Sequence, residues 1–390
     1  MNINNSEVKR KCCGCGMCSF KCPSKAISMI EDEKGFKYPI IDTKKCTNCG
    51  LCYKMCISMK KGKPKEITSN PHFAIKNKLD ETRKISRSGG VFSAISDYVI
   101  ENNGSVYGAI LDNVKTIKHI RATTKKERDK MCGSKYVQSD INEVLISIYK
   151  DLKEGKMVLF TGTPCQCAAV KTLFEKYEKL YVVDFICHGV PSPGFYRKYI
   201  DYLENKYKDN VIEFTFRDKD KYSWDTHIEK ATFNDKCLYS RRFTNLFCSN
   251  YIIRESCFEC NFIKNKYSDI TIGDYWGIEE IQEKFKDRLG VSVLIINTAK
   301  GDKIFRSIKK DIIYIDTTNI PLKHGNLKKP ISKPNNYDEF WNYNIKNSFS
   351  RVSSKYGNYD VLHLLKYKYK DKMDRVVKKN VKKDSNFKKN

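Results

Sequence analysis

The spacing of hydrophobic and polar positions predicts alternating helices and strands over residues 72–330 of this chain. The segment 91–99 has apolar residues at i, i+1, i+4, i+7 and i+8, which is the pattern of one helix face. An Asn-Gly pair at 103–104 is a typical helix end. Further helices are predicted at 166–179 and from 193 to about 206. Short apolar runs predict strands at 105–111, 157–161, 180–186, 211–217, 227–233, 269–272 and 291–298. This order predicts an α/β domain with a mixed sheet.

The pattern changes on both sides of this domain. Residues 61–71 are rich in Lys, Gly, Pro and Ser and are predicted to form a linker, and residues 331–390 form a basic C-terminal extension. No apolar run reaches the length of a membrane span, and the N-terminus has no apolar signal segment. The first nine of its 17 cysteines fit metal-binding spacing better than a disulfide scaffold, and the sequence therefore predicts a protein of the reducing cytoplasm.

The chain carries a formal net charge of +27. Its lysines are spread along the chain and form no recognised nucleic-acid motif, so an acidic redox partner or an anionic coenzyme is favoured over DNA or RNA. The densest basic stretch, Lys366–Lys389, is interpreted either as a solvated tail or as a surface helix that contacts a membrane or a partner.

Two cysteine runs near the N-terminus point to specific chemistry. Both have the spacing C-x2-C-x2-C-x3-C, which is typical of bacterial two-cluster ferredoxins. In that arrangement, three thiolates of each run bind one [4Fe-4S] cluster and the fourth crosses to the other cluster. The predicted ligand sets are Cys12, Cys15, Cys18 and Cys56 for one cluster, and Cys46, Cys49, Cys52 and Cys22 for the other.

Zinc is the alternative for paired C-x2-C units, but a zinc site has no use for two four-cysteine runs that share one pattern. Cys13 lies outside the pattern and is interpreted as a bystander. Residues 1–60 are therefore predicted to be a two-[4Fe-4S] ferredoxin domain. The predicted fold class is an α+β ferredoxin-like two-cluster module followed by an α/β domain with a mixed sheet.

Four further cysteines lie at places where chemistry is plausible. Cys165 follows a predicted strand in the turn GTPCQ, Cys187 ends the next strand, and Cys257 and Cys260 form a C-x2-C unit. Strand ends of this kind meet at the ligand-binding edge of an α/β sheet. From spacing alone, however, buried structural cysteines are favoured over a third cluster.

Several short motifs occur together and in one order: SRSGGVFSA at 86–94, GSKYVQSD at 133–140, GTPCQ at 162–166, CHGVPSP at 187–193, and CFEC with SDITIGDYWG over 257–277. In these motifs the chain resembles the beta-subunit family of coenzyme F420 hydrogenases and dehydrogenases. The resemblance covers most of residues 1–300. It implies FAD beside a [4Fe-4S] cluster, and a hydride-accepting substrate that is a deazaflavin in the named members. It also implies that Cys165, Cys187, Cys257 and Cys260 bind a third cluster.

The resemblance also indicates where the flavin binds. Ser88, Gly89 and Gly90 precede a helix, whose N-terminal amides favour an anion such as a pyrophosphate, although an ordinary helix cap explains them too. The other predicted cofactor-binding residues are Ser134, Lys135 and Tyr136.

Two residues are candidates for direct roles in catalysis. Lys135 is a candidate for stabilising negative charge on the reduced ring, and His188 is a candidate proton donor or a hydrogen-bond partner of a cluster ligand. Asp274 and Trp276 are predicted to shape a turn. Structural roles are predicted for Cys132, Cys167, Cys237 and Cys248.

The predicted function is that of an iron–sulfur flavoprotein oxidoreductase, with a redox protein or small electron carrier and a hydride-accepting small molecule as partners. Two other classes stay open: an electron-transfer subunit whose catalytic site lies on a partner chain, and a basic nucleic-acid-binding protein with structural clusters. No G-x-G-x-x-G follows a strand, so direct NAD binding has little support. The sequence does not predict the direction of electron flow or the oligomeric state.

Overall fold

The protein is described by a computed structural model that covers residue 3 and residues 6–59 and 70–357. Most of the predicted linker and the basic stretch Lys366–Lys389 lie outside the described residues. The helices are α1 (Ser6–Lys11), α2 (Met17–Lys21), α3 (Leu51–Met55), α4 (Asp80–Ile85), α5 (Val91–Glu101), α6 (Lys125–Asp129), α7 (Asn142–Lys153), α8 (Pro164–Phe174), α9 (Pro193–Tyr207), α10 (Arg242–Cys248), α11 (Ile278–Ile281), α12 (Ala299–Ile308), α13 (Gly325–Lys328), α14 (Tyr337–Lys346) and α15 (Phe349–Tyr356). The strands are β1 (Ile27–Glu31), β2 (Lys37–Ile41), β3 (His72–Asn77), β4 (Ser105–Asp112), β5 (Thr116–Ala122), β6 (Val158–Gly162), β7 (Leu180–Phe185), β8 (Glu213–Thr215), β9 (Glu229–Thr232), β10 (Cys237–Ser240), β11 (Ile270–Asp274), β12 (Ser292–Ile296) and β13 (Ile312–Asp316).

A large mixed sheet forms the centre of the molecule, as the sequence predicted. Its eight strands lie in the order β13-β3-β12-β11-β7-β6-β4-β5. The neighbours β4, β6, β7 and β11 are parallel, and the outer pairs are antiparallel. The middle strands are buried on both faces, which explains their continuous apolar sequences. Because four parallel strands end at one edge, that edge collects side chains from distant parts of the chain.

Most predicted elements exist, but some boundaries differ. The helix predicted at 166–179 begins at Pro164 and ends at Phe174. It begins early because Thr163 and Gln166 form a capping box with Pro164 in the first turn. The predicted strand at 211–217 is shorter, at Glu213–Thr215, and belongs to a small sheet with β9 and β10.

The N-terminal module has an internal two-fold resemblance. The short helices α2 and α3 each follow a glycine in the left-handed region, Gly16 at φ 71° and Gly50 at φ 69°. Each glycine lies one residue after the second cysteine of its run, so the chain turns tightly between the second and third ligands. The antiparallel hairpin of β1 and β2 joins the two halves. The hairpin turn touches the larger body, since a Cβ on Gly35 would lie 2.4 Å from the Gly194 Cα.

The packed body continues beyond residue 330, where the sequence analysis began the basic extension. Helices α14 and α15 contribute Phe340, Trp341, Phe349 and Val352 to an aromatic core that also contains Phe195 of α9. The first part of the predicted extension is therefore folded against the domain. Among the described residues, no helix combines the length and the apolar character needed to cross a membrane.

Candidate functional site

A cavity of about 430 Å³ lies at the carboxyl edge of the parallel strands. Residues 161–163 reach it from the end of β6, residues 185–187 from the end of β7, and residues 272–274 from β11. Loops 86–92 and 131–137 form other parts of the wall. The cavity therefore lies where an open α/β sheet binds ligands.

The first wall of the cavity is formed by residues that come just before helix α5 in the chain. Ser88 and Gly90 line the cavity, and the Ser88 hydroxyl lies 2.9 Å from the Ser292 hydroxyl. Gly90 caps the 11-residue helix α5 with φ 79°, a conformation that favours glycine. Gly89 is not among the lining residues. A Cβ on Gly89 would lie 2.1 Å from the carbonyl oxygen of Ile75, so its lack of a side chain permits close packing on β3.

The second wall carries Ser134, Lys135 and Tyr136, all of which line the cavity. The Lys135 ammonium donates to the carbonyl oxygens of Lys130 (3.0 Å) and Cys132 (2.8 Å). Burial lowers the pKa of Lys135 to about 8, because the charged form is disfavoured away from water. Lys135 can therefore exchange its proton near neutral pH.

Tyr136 is held from two sides. Its ring stacks on Phe247 with 5.0 Å between centroids, and its hydroxyl accepts a hydrogen bond of 3.0 Å from Arg217 Nη1. Burial raises the pKa of Tyr136 to about 12, so the phenol stays protonated. The side chain presents a fixed aromatic surface and a hydroxyl to the cavity.

Two arginines and one carboxylate form a charged wall. Asp274 Oδ2 accepts from Arg87 Nη2 at 2.6 Å and lies 3.3 Å from Arg217 Nη1. The neighbouring side chains Trp224 and Trp276 stack with centroids 5.0 Å apart. Asp274 thus does more than shape a turn, since it holds both guanidinium groups at the cavity. The two arginines exceed the single carboxylate by one positive charge, which suits an anionic ligand.

His188 is fixed by two amides. Its Nε2 donates to Asn250 Oδ1 at 2.7 Å, and its Nδ1 lies 3.4 Å from Asn326 Nδ2. Burial lowers the pKa of His188. The amide partners on both ring nitrogens match a neutral imidazole with a defined tautomer. A histidine held in this way can keep a neighbouring residue in position.

The structure brings Cys165, Cys187, Cys257 and Cys260 together. Burial raises the pKa of Cys187 to about 12, with a further contribution from the Cys260 charge. Burial also raises the pKa of Cys257, and the neighbouring Cys187 and Cys260 raise it further. Four half-buried thiols that repel one another as thiolates are stabilised by a cation, and soft sulfur donors suit iron. This donor set fits a [4Fe-4S] cluster.

Cys187 belongs to both features, because it also lines the cavity. The four-cysteine group therefore lies directly behind one wall. In the part of the chain that the structure describes, no group of three or more His, Cys, Asp or Glu side chains is arranged to hold a single metal ion.

The thiols of the first N-terminal run also lie together. Burial raises the pKa of Cys18 to about 12, with further contributions from Cys12 and Cys56. This proximity fits the predicted set of Cys12, Cys15, Cys18 and Cys56. In the second run Cys49 is exposed and Cys46 and Cys52 are half-buried, so the second set lies toward solvent.

Cys13, which the sequence analysis treated as a bystander, occupies the junction between the modules. It is buried and accepts hydrogen bonds from the thiols of Cys15 and Cys165, which lower its pKa well below the usual value. The Ser58 hydroxyl donates to its sulfur at 3.5 Å. Cys13 therefore connects the first run with the four-cysteine group, a contact that spacing alone does not reveal.

Comparison with known protein families gives two matches. Residues 155–321 match the family described as the C-terminal part of the coenzyme F420 hydrogenase/dehydrogenase beta subunit. Residues 11–59 match the 4Fe-4S dicluster domain. Residues 155–321 therefore belong to the coenzyme F420 hydrogenase/dehydrogenase beta-subunit family, and a 4Fe-4S dicluster domain precedes them in the chain.

One solved structure similar to this family member is a chain of the F420-reducing [NiFe] hydrogenase complex from Methanosarcina barkeri. The two are 17% identical with a TM-score of 0.45, and the match covers 74% of this chain and 89% of that chain. No curated protein matches the sequence.

The family match at residues 155–321 covers only part of the cavity and of the cysteine group behind it. Cys165, Cys187, Cys257 and Cys260 lie inside the matched range, as do Arg217 and Asp274. The walls at 86–90 and 134–136 lie upstream of it. The dicluster match makes this chain an iron–sulfur protein, and the walls upstream of residue 155 complete the cavity.

The sequence analysis missed several lining residues. His119, Arg217 and His324 line the cavity, and none belongs to a motif noticed in the sequence. His119 lies on β5, whose alternating pattern TIKHIRA predicts a strand with Ile117 and His119 on one face. That alternation was a usable signal for His119. Arg217 and His324 lie in segments without such a pattern.

Beside the cavity, Lys219 connects three loops. Its ammonium donates to the carbonyl oxygens of Arg83, Ser86 and Leu289 at 2.7–2.8 Å. Burial, together with the nearby Arg87 and Arg83, lowers the pKa of Lys219 to about 7. The folded protein therefore releases this proton at lower pH than the unfolded chain does.

From pH 7 to 9, the wild type is expected to gain stability relative to Lys219→Met. The reason is that the unfolded chain binds a proton there that the folded protein has lost, and the gain is on the order of 1 kcal/mol per pH unit. Anaerobic thermal unfolding at several pH values measures this difference. The exposed Lys221 provides the control. If Lys221→Met changes the pH dependence as much as Lys219→Met does, the buried amine is not its source.

Proposed function

We propose that the chain is an iron–sulfur flavoprotein oxidoreductase that passes electrons between ferredoxin-type [4Fe-4S] clusters and FAD, and on to a hydride-accepting small molecule such as a deazaflavin. One observation carries the proposal: Cys187 belongs to a group of four half-buried cysteines and also lines the cavity. A cluster ligand and a coenzyme-sized cavity therefore share one wall. When bound, a flavin supplies the conversion between single electrons and hydride transfer.

The cavity walls offer groups that suit a dinucleotide. Ser88 and Gly90 precede α5, whose first amides and helix dipole favour an anionic group. Arg87 and Arg217 add positive charge that Asp274 only partly offsets. Tyr136 provides an aromatic surface for stacking. A flavin coenzyme with a pyrophosphate and a ring system matches these groups.

Lys135 is proposed to stabilise negative charge that develops in the cavity. Its two carbonyl partners hold the ammonium at the wall and leave capacity for a third hydrogen bond. A pKa of about 8 lets the same group hold or release a proton under physiological conditions. His188 is proposed to position Cys187 and the surrounding loop, because both of its nitrogens already face amides.

The N-terminal module is proposed to connect the site with solvent. The exposed Cys49 belongs to the outer cysteine set, whereas Cys12, Cys15 and Cys18 belong to the inner set beside the buried Cys13. A protein or small electron carrier would exchange electrons at the outer set, and the inner set adjoins Cys165. The group of Cys165, Cys187, Cys257 and Cys260 is the third set. The three cysteine sets then form one electron-transfer route to the cavity.

A second candidate function is that of an electron-transfer subunit whose catalytic site lies on a partner chain. The matched family is described as a beta subunit, which favours assembly with other chains. The two functions differ in the behaviour of the isolated protein. A self-sufficient enzyme transfers electrons to a deazaflavin by itself, and an electron-transfer subunit does so only after a partner is added.

Anaerobic purification followed by iron, sulfide and flavin analysis of one sample tests the proposal. We expect about twelve irons and one flavin per chain, at four irons for each of three cubanes. About eight irons with flavin would return Cys165, Cys187, Cys257 and Cys260 to structural roles. A holoprotein that holds no flavin after anaerobic reconstitution would contradict the proposed function.

A further inference from the structure

Arg254 lies completely inside the protein, at the contact between the N-terminal module and the body. Its Nε donates to the carbonyl oxygen of Cys12 at 2.7 Å, and its Nη2 donates to that of Lys37 at 3.0 Å. Its Nη1 donates to Gln138 Oε1 at 2.9 Å. The guanidinium also lies 4.2 Å from the centroid of the Tyr38 ring. One side chain thus holds both halves of the contact.

The backbone of Arg254 contacts the loop of Cys257, which belongs to the four-cysteine group of Cys165, Cys187, Cys257 and Cys260. Its amide donates to the Val190 carbonyl at 3.0 Å, and its carbonyl accepts from the Cys257 amide at 3.0 Å. Space around the guanidinium is limited, since a Cβ on Gly14 would lie 2.9 Å from Nη1. Arg254 therefore sets the distance between the Cys12 loop and the Cys257 loop.

The positive charge of Arg254 has no carboxylate partner among the described residues, although other buried arginines have one. Arg83 pairs with Asp287, Arg128 with Asp97 and Arg217 with Asp274. The hydrogen-bond acceptors of Arg254 are two carbonyls and an amide, all neutral. A buried guanidinium without a counter-charge is costly. The ionisable groups whose negative charge would act on it are Cys12, Tyr38, Cys13 and Cys257.

We propose that Arg254 is a positioning residue that joins the two inner cluster sites and that its uncompensated charge raises their reduction potentials. The inference rests on the proposed function, because it takes the Cys12 and Cys257 sets as [4Fe-4S] ligands. A cluster gains one negative charge on reduction, and a cation in a low-dielectric interior stabilises that form. The charge therefore stabilises the reduced form of the clusters at the junction between the N-terminal module and the cavity.

Two substitutions remove this charge in different ways. Arg254→Gln deletes the cation. Gln138→Glu is isosteric and gives Arg254 a carboxylate at the position that Gln138 Oε1 now occupies, so it neutralises the cation, and it loses the hydrogen bond that Gln138 Nε2 donates to the Cys13 carbonyl at 2.8 Å. Arg254→Lys loses the forked geometry and keeps the charge only while the buried amine is protonated, so this variant is titrated at pH 6. Lys9→Gln is the matched control, because Lys9 also lies over the Tyr38 ring, at 5.9 Å, but on the exposed side.

Redox titration of the anaerobic holoproteins, followed by electron paramagnetic resonance, tests the proposal. In Arg254→Gln and in Gln138→Glu, we expect the equilibrium constant for reducing an inner cluster to fall at least tenfold, which is about 59 mV for one electron. Arg254→Lys and Lys9→Gln should stay within threefold of the wild type. Gln138→Glu tests the charge even if Arg254→Gln does not assemble.

An unchanged potential in either charge-removing variant with full iron content would overturn the inference. An equal shift in Arg254→Lys would also overturn it, because the effect would then come from packing rather than charge. Flavin is counted on the same samples. Absence of flavin from the wild type would contradict the proposed function, whereas the cluster potentials would still test Arg254.

Discussion

Replacing Cys165 with serine is expected to lower the iron content from about twelve to about eight atoms per chain, the loss of one cubane. The flavin content should change little, because Cys165 does not line the cavity. Electron transfer from the N-terminal clusters to the flavin should slow by at least tenfold, since Cys165 contacts the junction thiol Cys13. Iron and flavin analysis with stopped-flow reduction by a viologen dye measures all three quantities.

Cys167 supplies a matched control on the same helix. It is buried, and its thiol lies 3.5 Å from the carbonyl oxygens of both Gly162 and Val183, either of which can accept its one hydrogen. A serine hydroxyl can donate to the same carbonyls, so Cys167→Ser should keep about twelve irons. If both variants keep the same iron content as the wild type, Cys165 has a structural role and does not bind a cluster.

Replacing Lys135 with methionine is expected to reduce the rate of flavin-dependent electron transfer by roughly 100-fold, the usual effect of losing one positioned charge or acid. The wild-type rate should fall as the pH rises through about 8, because Lys135 loses its proton there. A guanidinium at this position would keep its charge, so Lys135→Arg should move this decline beyond pH ~10. Rate measurements from pH 6 to 10 on flavin-loaded protein test both effects.

The control for Lys135 is Lys130, in the preceding helix turn. Lys130 is exposed, and only its carbonyl contacts Lys135, so Lys130→Met should keep the wild-type rate and pH profile. Flavin content must be measured in every variant, because Lys135 also anchors its loop through Cys132. A pH profile that is unchanged in Lys135→Met with full flavin content would assign the decline to another group.

Much of the local structure could be predicted from sequence patterns. The helix at Val91–Glu101 and the strands at Ser105–Asp112 and Leu180–Phe185 lie close to their predicted positions, because their apolar spacing matches one buried face or a buried strand. The strands at Thr116–Ala122 and Ile312–Asp316 were missed. They lie at the two edges of the large sheet, and both carry a strand pattern that the sequence analysis did not use: alternation in TIKHIRA and the short apolar run IIYI.

The cavity could be predicted only in part. Ser88, Gly90, Ser134, Lys135, Tyr136 and His188 were named from motifs, and all line it. Gly89 was named with them, but the structure places it against β3 rather than on the wall. The motif identifies a glycine-rich turn, whereas the fold decides which of its residues face the ligand.

The sequence by itself determined the N-terminal cysteine sets and the alternation of helices and strands, because both depend on spacings of a few residues. Only the tertiary structure decided that Cys165 and Cys187 meet Cys257 and Cys260, which are about seventy or more positions away in the chain. It also decided the junction at Cys13 and the buried charge of Arg254. These contacts join segments that fold separately and then pack together, so no local spacing carries a signal for them.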